Sequence, residues 1–240
     1  MRIETDCFYL KELLSPFSNF TSFVIRHDTD KDELRLFSLA DDKARLFISV
    51  VNKDKMNYSK GEKEKVDYLV DARKIMKYLK HIKSEEKVAL EIDERVHIKT
   101  KDISKKVGLL GIEAEYNIKK EDYPYDCKME CKTDIFEGFD FVAIDSNEVV
   151  IKKEGKIIYL ENVDEVEKTC SDISKYVKIV EDKKDKFESI YFVAYITEVG
   201  KFITDDFVMK VGENLPLSFE FWQKEKIARC KYVIAPLVVE

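Results

Sequence analysis

Two α+β domains of similar build, rich in strands and poor in helices, are predicted for this 240-residue chain. Three observations point there. A hairpin-like alternation occurs twice at a fixed offset, an amphipathic helical stripe precedes each copy, and a linker-like stretch lies near the middle. At 45% hydrophobic and 38% charged residues, the chain has enough apolar material to bury one large core or two small ones.

In chain order, a first helix starts at Asp6 and meets Pro16, whose ring and missing N–H end it near Ser15. Residues 33–51, "ELRLFSLADDKARLFISVV", read as strand, polar turn and strand. Residues 71–83, "DARKIMKYLKHIK", place Ile75, Met76, Leu79 and Ile82 on one helical stripe, with Asp71 as N-cap. Residues 87–100, "KVALEIDERVHIKT", alternate as an antiparallel hairpin: Val88, Leu90 and Ile92, a turn, then Val96 and Ile98. His97 falls on the opposite, solvent face.

The second half repeats the order. Residues 130–141, "ECKTDIFEGFDF", leave room for a helix of a turn or two, residues 141–163 read as strand, turn and strand, and residues 188–203 carry a stripe of Val193, Ile196, Val199 and Ile203. Residues 206–219 then alternate through Phe207, Met209, Val211, Leu215 and Leu217, each 119 positions after its counterpart in the first hairpin. Between the halves, residues 108–126 combine two glycines, a lysine-rich acidic middle and Pro124. The expected division is 1–108, a connector over 109–125, and 126–240.

Chemistry-bearing motifs are mostly absent. The sequence has no phosphate-cradling glycine loop, no zinc-protease signature and no nucleophile elbow, so an enzyme is not expected. "DTDKDE" (28–33) begins like a calcium loop, but Glu33 stands where glycine is needed and Leu39 where the bidentate glutamate belongs. The adjacent pairs Asp41–Asp42 and Asp205–Asp206 read as turn and cap residues. Three scattered histidines and five cysteines without a C-x-x-C pair supply no ligand set, so neither metal nor cofactor is expected. The apolar runs are too short to cross a bilayer and the start is acidic where a signal peptide is apolar, which predicts a soluble intracellular protein with no membrane partner.

One polar pattern stands out. Lys74, Lys77, Lys80 and Lys83 recur at three-residue steps beside the apolar stripe, with Arg73 at the edge and no acid between Ala72 and Ile82. An ordinary surface helix fits this row, and so does a helix lying across a phosphate backbone. The formal net charge of -6 excludes a protein that coats nucleic acid by mass attraction, but not one with a single basic face. The ending "CKYVIAPLVVE" (230–240) is mostly apolar, so it is predicted either to be docked or to serve a partner.

The duplicated halves, the mid-chain linker, the lysine-striped helix and the ending "LPLSFEFWQKEKIARCKYVIAPLVVE" together resemble the DNA sliding clamps of the proliferating cell nuclear antigen (PCNA) family, in a divergent archaeal-type form. The closest stretches are residues 37–50, residues 70–92 and the last 35 or so. The resemblance implies two clamp-fold domains with antiparallel sheets outside and helices lining a central channel, in a ring-forming subunit. It further implies a homotrimer acting as a polymerase processivity factor, in the cytoplasm with the nucleoid or in a eukaryotic nucleus.

What the resemblance implies for residues follows. Lys11, Arg73, Lys74, Lys77, Lys80, Lys83 and Lys201 would face double-stranded DNA without reading its sequence. Leu39, Lys43, Ala44, Ile118, Pro216, Val233, Ile234, Ala235 and Pro236 would border an apolar pocket for short peptides of a DNA polymerase, clamp loader, ligase or nuclease. Sheet edges at residues 103–111 and 155–162 would join subunits through Val107, Leu109, Ile157, Ile158 and Tyr159. The short helix at 130–141 and the single basic residue, Lys201, between Phe192 and Ile203 depart from the family pattern. They raise a second reading, a clamp-fold interaction or regulatory protein that binds clamp partners without encircling DNA.

Overall fold

The computed structural model describes residues 1–28, 30–59, 67–113, 123–144, 146–163 and 168–237. The chain divides into two compact units: unit 1 holds 1–41, 46–119 and 223–230, and unit 2 holds 42–45, 120–222 and 231–240. The turn at 42–45 belongs to unit 2, and 223–230 to unit 1.

Unit 1 begins with strand β1 (Arg2–Asp6) and helix α1 (Cys7–Leu14), and continues with β2 (Phe23–Asp28), β3 (Glu33–Leu39), β4 (Arg45–Val51), β5 (Asn57–Ser59) and β6 (Asp67–Val70). Helix α2 (Ala72–Leu79) and strands β7 (Lys87–Ile92), β8 (Arg95–Lys99), β9 (Ser104–Gly108) and β10 (Gly111–Glu113) complete it. One sheet runs β5-β1-β7-β8-β9 and the other β10-β6-β2-β3-β4, with neighbouring strands antiparallel. Helices α1 and α2 pack together, burying Cys7, Leu10, Leu13 and Leu14 from one and Ala72, Ile75 and Leu79 from the other. Pro16 opens a 3-10 turn directly after α1, where the sequence places the helix stop.

Unit 2 contains β11 (Cys127–Cys131), α3 (Ile135–Val142), β12 (Glu148–Glu154), β13 (Ile157–Asn162), β14 (Cys170–Asp172), β15 (Val177–Asp182) and β16 (Lys186–Phe192). It continues through α4 (Val193–Gly200), β17 (Phe207–Val211) and β18 (Leu217–Trp222). Strand β19 (Ala228–Ile234) starts in unit 1 and ends in unit 2. One sheet runs β14-β13-β12-β16, the other β18-β17-β11-β15, and α3 packs on α4. The duplication is visible in the pairing: β1 pairs antiparallel with β7 as β11 does with β17, each followed directly by or close to a helix.

The hairpins differ in one respect. Leu90 faces Ile98 in unit 1, while Met209 faces Phe219 in unit 2. The offset is thus 119 in the first strand (209 minus 90) but 121 in the second (219 minus 98). The second turn is two residues longer, so Leu215, matched in sequence to strand residue Val96, lies in that turn. Two boundaries also move. Residues 188–192 extend β16 rather than starting the helix, and Phe141 and Val142 end α3 rather than starting a strand.

Candidate functional site

Helix α2 is short and its face is fixed locally. The Asp71 carboxylate accepts a hydrogen bond from the Lys74 backbone N–H at 3.2 Å, which satisfies a donor of the first turn. Ile75 and Leu79 then lie fully buried, and this forces Arg73, Lys74, Lys77 and Lys80 outward, where all are exposed. The Arg73 and Lys74 side chains are 61% and 59% exposed, each in a loose 3.9 Å contact with Asp71. The helix ends sooner than the periodicity suggests, so Lys80 is its C-cap and the exposed Lys83 lies beyond it. Cations one turn apart on a rigid support match phosphates by charge; long, flexible lysines carry no base-edge readout.

Lys11 of α1 is half-buried. Its ammonium donates to the Ile82 carbonyl at 2.8 Å, tying α1 to the segment after α2. The sequence could not show that, because the contact joins residues 71 positions apart. Lys105 of β9, which no sequence pattern singles out, sits over the Tyr78 ring at 5.1 Å and adds a cation beside α2. Lys201 is exposed at the end of α4 in unit 2.

The tail is docked. Within unit 2 the Ala235 N–H donates to the Ala44 carbonyl at 2.7 Å, and the Leu237 N–H to Ile190 at 2.8 Å. The turn that receives it is held by a polar cluster. Arg45 Nη1 lies 2.6 Å from Glu198 Oε2 and its guanidinium stacks over Tyr195 at 4.5 Å. The Tyr195 hydroxyl donates to Asp42 at 2.8 Å, and Tyr232 donates to Glu198 at 3.2 Å. Burial works against the charged Asp42, yet the Ala44 N–H, the Tyr195 hydroxyl and Arg45 hold its pKa below the usual 3.8.

Burial corrects two of the expected pocket residues. Val233 and Ile234 are 5% and 0% exposed, because β19 runs on through Ile234 and its end is covered on both faces, one for each of these neighbouring side chains. Lys43 is exposed, while Ala44, Pro216, Ala235 and Pro236 are half-buried in unit 2. Leu39 is 37% exposed in unit 1, and Ile118 lies outside the described residues.

The expected joint residues divide in the same way. Val107 and Ile158 are 5% and 0% exposed, facing the cores of their own units, whereas Ile157 is exposed and Leu109 and Tyr159 are half-buried. Strand β9 is the outer strand of its sheet, as expected. Strand β13 is not. It is covered by β14 through Tyr159, Leu160 and Glu161, and Ile158 exchanges hydrogen bonds with Ile173 and Ser174. The outer strand there is β14, only three residues long, and a segment that short carries no periodic signal to find it by.

Other chemistry is not in sight. Among the described residues no cluster of histidine, cysteine and carboxylate groups is placed to hold a metal ion, and no helix is long and apolar enough to cross a membrane. Burial pushes the Cys127, Cys131 and Cys230 thiols up to about 11, 12 and 12, which leaves them protonated and unreactive.

No family model and no curated protein sequence matches the chain. Solved structures do. PCNA from A. fulgidus, with the C-terminal region of FEN-1 bound, aligns over 100% of this chain and 99% of its own at TM-score 0.81 and 17% identity. The fold is that of a sliding clamp. PCNA from Thermococcus kodakaraensis gives TM-score 0.81 at 14% identity, and the PCNA2-PCNA3 complex from Sulfolobus tokodaii 0.74 at 16%, each over 98% of this chain and 99% of the other. The clamp fold accounts for the duplication, since each half sets a helix pair against two antiparallel sheets. The two halves of this clamp-fold chain nevertheless differ in charge. The exposed face of α2 is basic, while α3 exposes Glu137 and Asp140 and carries no cation.

Proposed function

We propose that the chain is a DNA sliding clamp: a non-catalytic processivity factor that encircles duplex DNA and docks replication and repair proteins. The observation that carries this is the row of exposed cations on α2, fixed outward by the buried stripe beneath it. Copies would close head to tail into a homotrimeric ring, the outer strand β9 of one pairing with the outer strand β14 of the next. Charge favours that order, because Lys105 and Lys106 line β9 while Glu161 and Asp172 flank β14. Polymerase, clamp loader, ligase and nuclease peptides would dock against the half-buried tail at Ala235 and Pro236. The ring would work in the cytoplasm, on the nucleoid.

A second reading is favoured by the three-residue β14 and the acidic α3: a clamp-fold protein that binds clamp partners without encircling DNA. Light scattering across a concentration series, with polymerase extension on a primed circular template, separates the two. A trimer that stimulates extension supports the ring. A particle that stays monomeric and leaves extension unchanged supports the alternative.

A further inference from the structure

Helix α1 turns Phe8, Tyr9 and Glu12 away from its buried side, and all three are half-buried. Its one basic residue, Lys11, is committed to the Ile82 carbonyl, so the helix brings no free cation of its own. Two lysines from other segments of unit 1 supply them. Lys55, in the turn after β4, holds its ammonium 5.6 Å from the centre of the Tyr9 ring, and Lys224, shortly before β19, holds its own 5.7 Å from that of Phe8. The two rings meet edge to face at 5.4 Å and form one platform for both charges. The mounts are fixed. The Lys55 carbonyl accepts from the Thr5 hydroxyl at 3.1 Å, and Gln223, next to Lys224, donates its side-chain amide to the Glu12 carbonyl at 3.1 Å. Asn52 joins the two segments, through its N–H to Ile227 and its side-chain amide to Lys226. The acids that precede α1 are already paired, Asp6 with Lys87 at 2.8 Å and Glu4 with Arg2 at 3.0 Å. Among the described residues neither Lys55 nor Lys224 is ion-paired, and a cation resting on a ring keeps its far side open to an anion.

From this geometry we propose that Lys55 and Lys224 form a second phosphate-binding site for duplex DNA, in which the aromatic platform of α1 stands in for the lysines that the helix lacks. The proposal rests on the clamp reading and deepens it: in a ring whose helices line the channel, α1 meets the duplex through cations carried by two neighbouring segments. Charge in unit 2 points the same way. Helix α3 exposes Glu137 and Asp140, and α4 ends on the single cation Lys201, so the grip on phosphates falls to unit 1. A single strand stacking its bases on the rings is the poorer occupant, because the ammoniums already lie over them.

Anisotropy of a fluorescein-labelled blunt duplex, titrated with the full chain over a salt series, tests this. Lys55→Gln with Lys224→Gln is expected to weaken binding about tenfold at low salt and to lower the slope of log affinity against log salt by about 1.8. Phe8→Leu with Tyr9→Leu changes no charge and keeps the apolar bulk, so the circular dichroism should hold while loss of the platform weakens binding about threefold. Lys31→Gln with Lys186→Gln, an equal charge change at two exposed positions off the helices, should stay within about twofold. Unchanged affinity for Lys55→Gln with Lys224→Gln overturns the proposal, and if Lys74→Gln with Lys77→Gln still weakens binding, the clamp reading survives that failure. An equal loss in the Lys31 and Lys186 control also overturns it, by reducing the effect to net charge, and full affinity in the leucine variant overturns the part given to the rings. A wild type that binds no duplex sinks the proposal and the clamp reading together.

Discussion

The Arg45 guanidinium meets the Glu198 carboxylate at 2.6 Å, although 153 residues separate them in sequence. Both side chains belong to unit 2 and both are largely withdrawn from water, at 17% and 16% exposure. A turn inserted between two strands of unit 1 is thereby anchored to α4, and through Tyr232 to β19. The same turn accepts the tail at Ala44. This pair therefore sets the position of the surface where partner peptides are proposed to bind.

Arg45→Ala is expected to destabilise unit 2 by about 3 kcal/mol, because it leaves the Glu198 charge buried without its counter-ion. Arg45→Lys should recover only part of that, since one ammonium cannot reproduce the fork that reaches both Glu198 and Asp42. Urea denaturation of the three proteins checks this. Equal midpoints for wild type and Arg45→Ala would show that the contact contributes nothing.

The pH response of the turn follows from Asp42. Its pKa is held below 3.8, so the fold favours the ionised carboxylate. That contribution is fully present above the unfolded value of about 4 and is lost as pH falls through the folded one. Asp42 should accordingly add a constant stabilisation between about pH 5 and 8, and part of the fall in melting temperature below about pH 4 should vanish in Asp42→Asn. Identical slopes for the two proteins in acid would assign the acid loss to other carboxylates.

Reversal of Lys74, Lys77 and Lys80 to glutamate is expected to abolish polymerase stimulation and weaken duplex binding, with the circular dichroism unchanged because Ile75 and Leu79 stay in place. Neutralising three phosphates fewer should reduce the slope of log affinity against log salt by about 2.7. If duplex affinity survives the reversal, the DNA face lies elsewhere.

What the sequence could and could not tell follows from the range of each signal. The α2 stripe and both hairpins are local periodicities, so their faces were readable and Ile75, Leu79, Leu90 and Met209 are buried where the pattern puts them. The phase of β13 was readable too, but which strand lies outside it was not, since pairing with Cys170–Asp172 is a property of the sheet. Lys11 and Arg45 were beyond reach for the same reason. Their partners, Ile82 and Glu198, come from distant segments, and a lysine or arginine looks the same in sequence whether it faces solvent or a carbonyl.

Substitution at adjacent positions of β13 separates core from surface. Ile158→Lys places an ammonium at a site with 0% exposure and should cost about 3 kcal/mol or more, unfolding unit 2 rather than merely dissociating copies. Ile157→Lys, at 40% exposure, should leave the melting temperature within a few degrees. For the ring itself, Lys105→Glu with Lys106→Glu on β9 reverses the charge of the outer strand and should shift the particle to monomer in light scattering. A trimer that withstands this reversal would place the joint away from β9.

The tail offers the last test, and burial decides which residues can be used in it. Changing Ile234 would damage the core, as it is 0% exposed, so a loss of binding there would carry no information about docking. Ala235 and Pro236 are half-buried, and the backbone N–H of Ala235 is already committed to Ala44. Their side chains can therefore be altered while the tether stays. A fluorescent peptide with glutamine, two residues, an aliphatic, two residues and two aromatics should bind at micromolar affinity, since covering two rings yields several kcal/mol at roughly 25 cal/mol per Å² before ordering costs. Pro236→Ser with Ala235→Asp puts a charge and a hydroxyl where the rings would rest, and is expected to weaken binding by about tenfold or more without shifting the melting temperature. Arg45→Ala should weaken the same peptide through the turn that carries Ala44. Should the peptide bind both variants as tightly as wild type, the tail is a packed end and nothing more, and partner docking belongs to another surface.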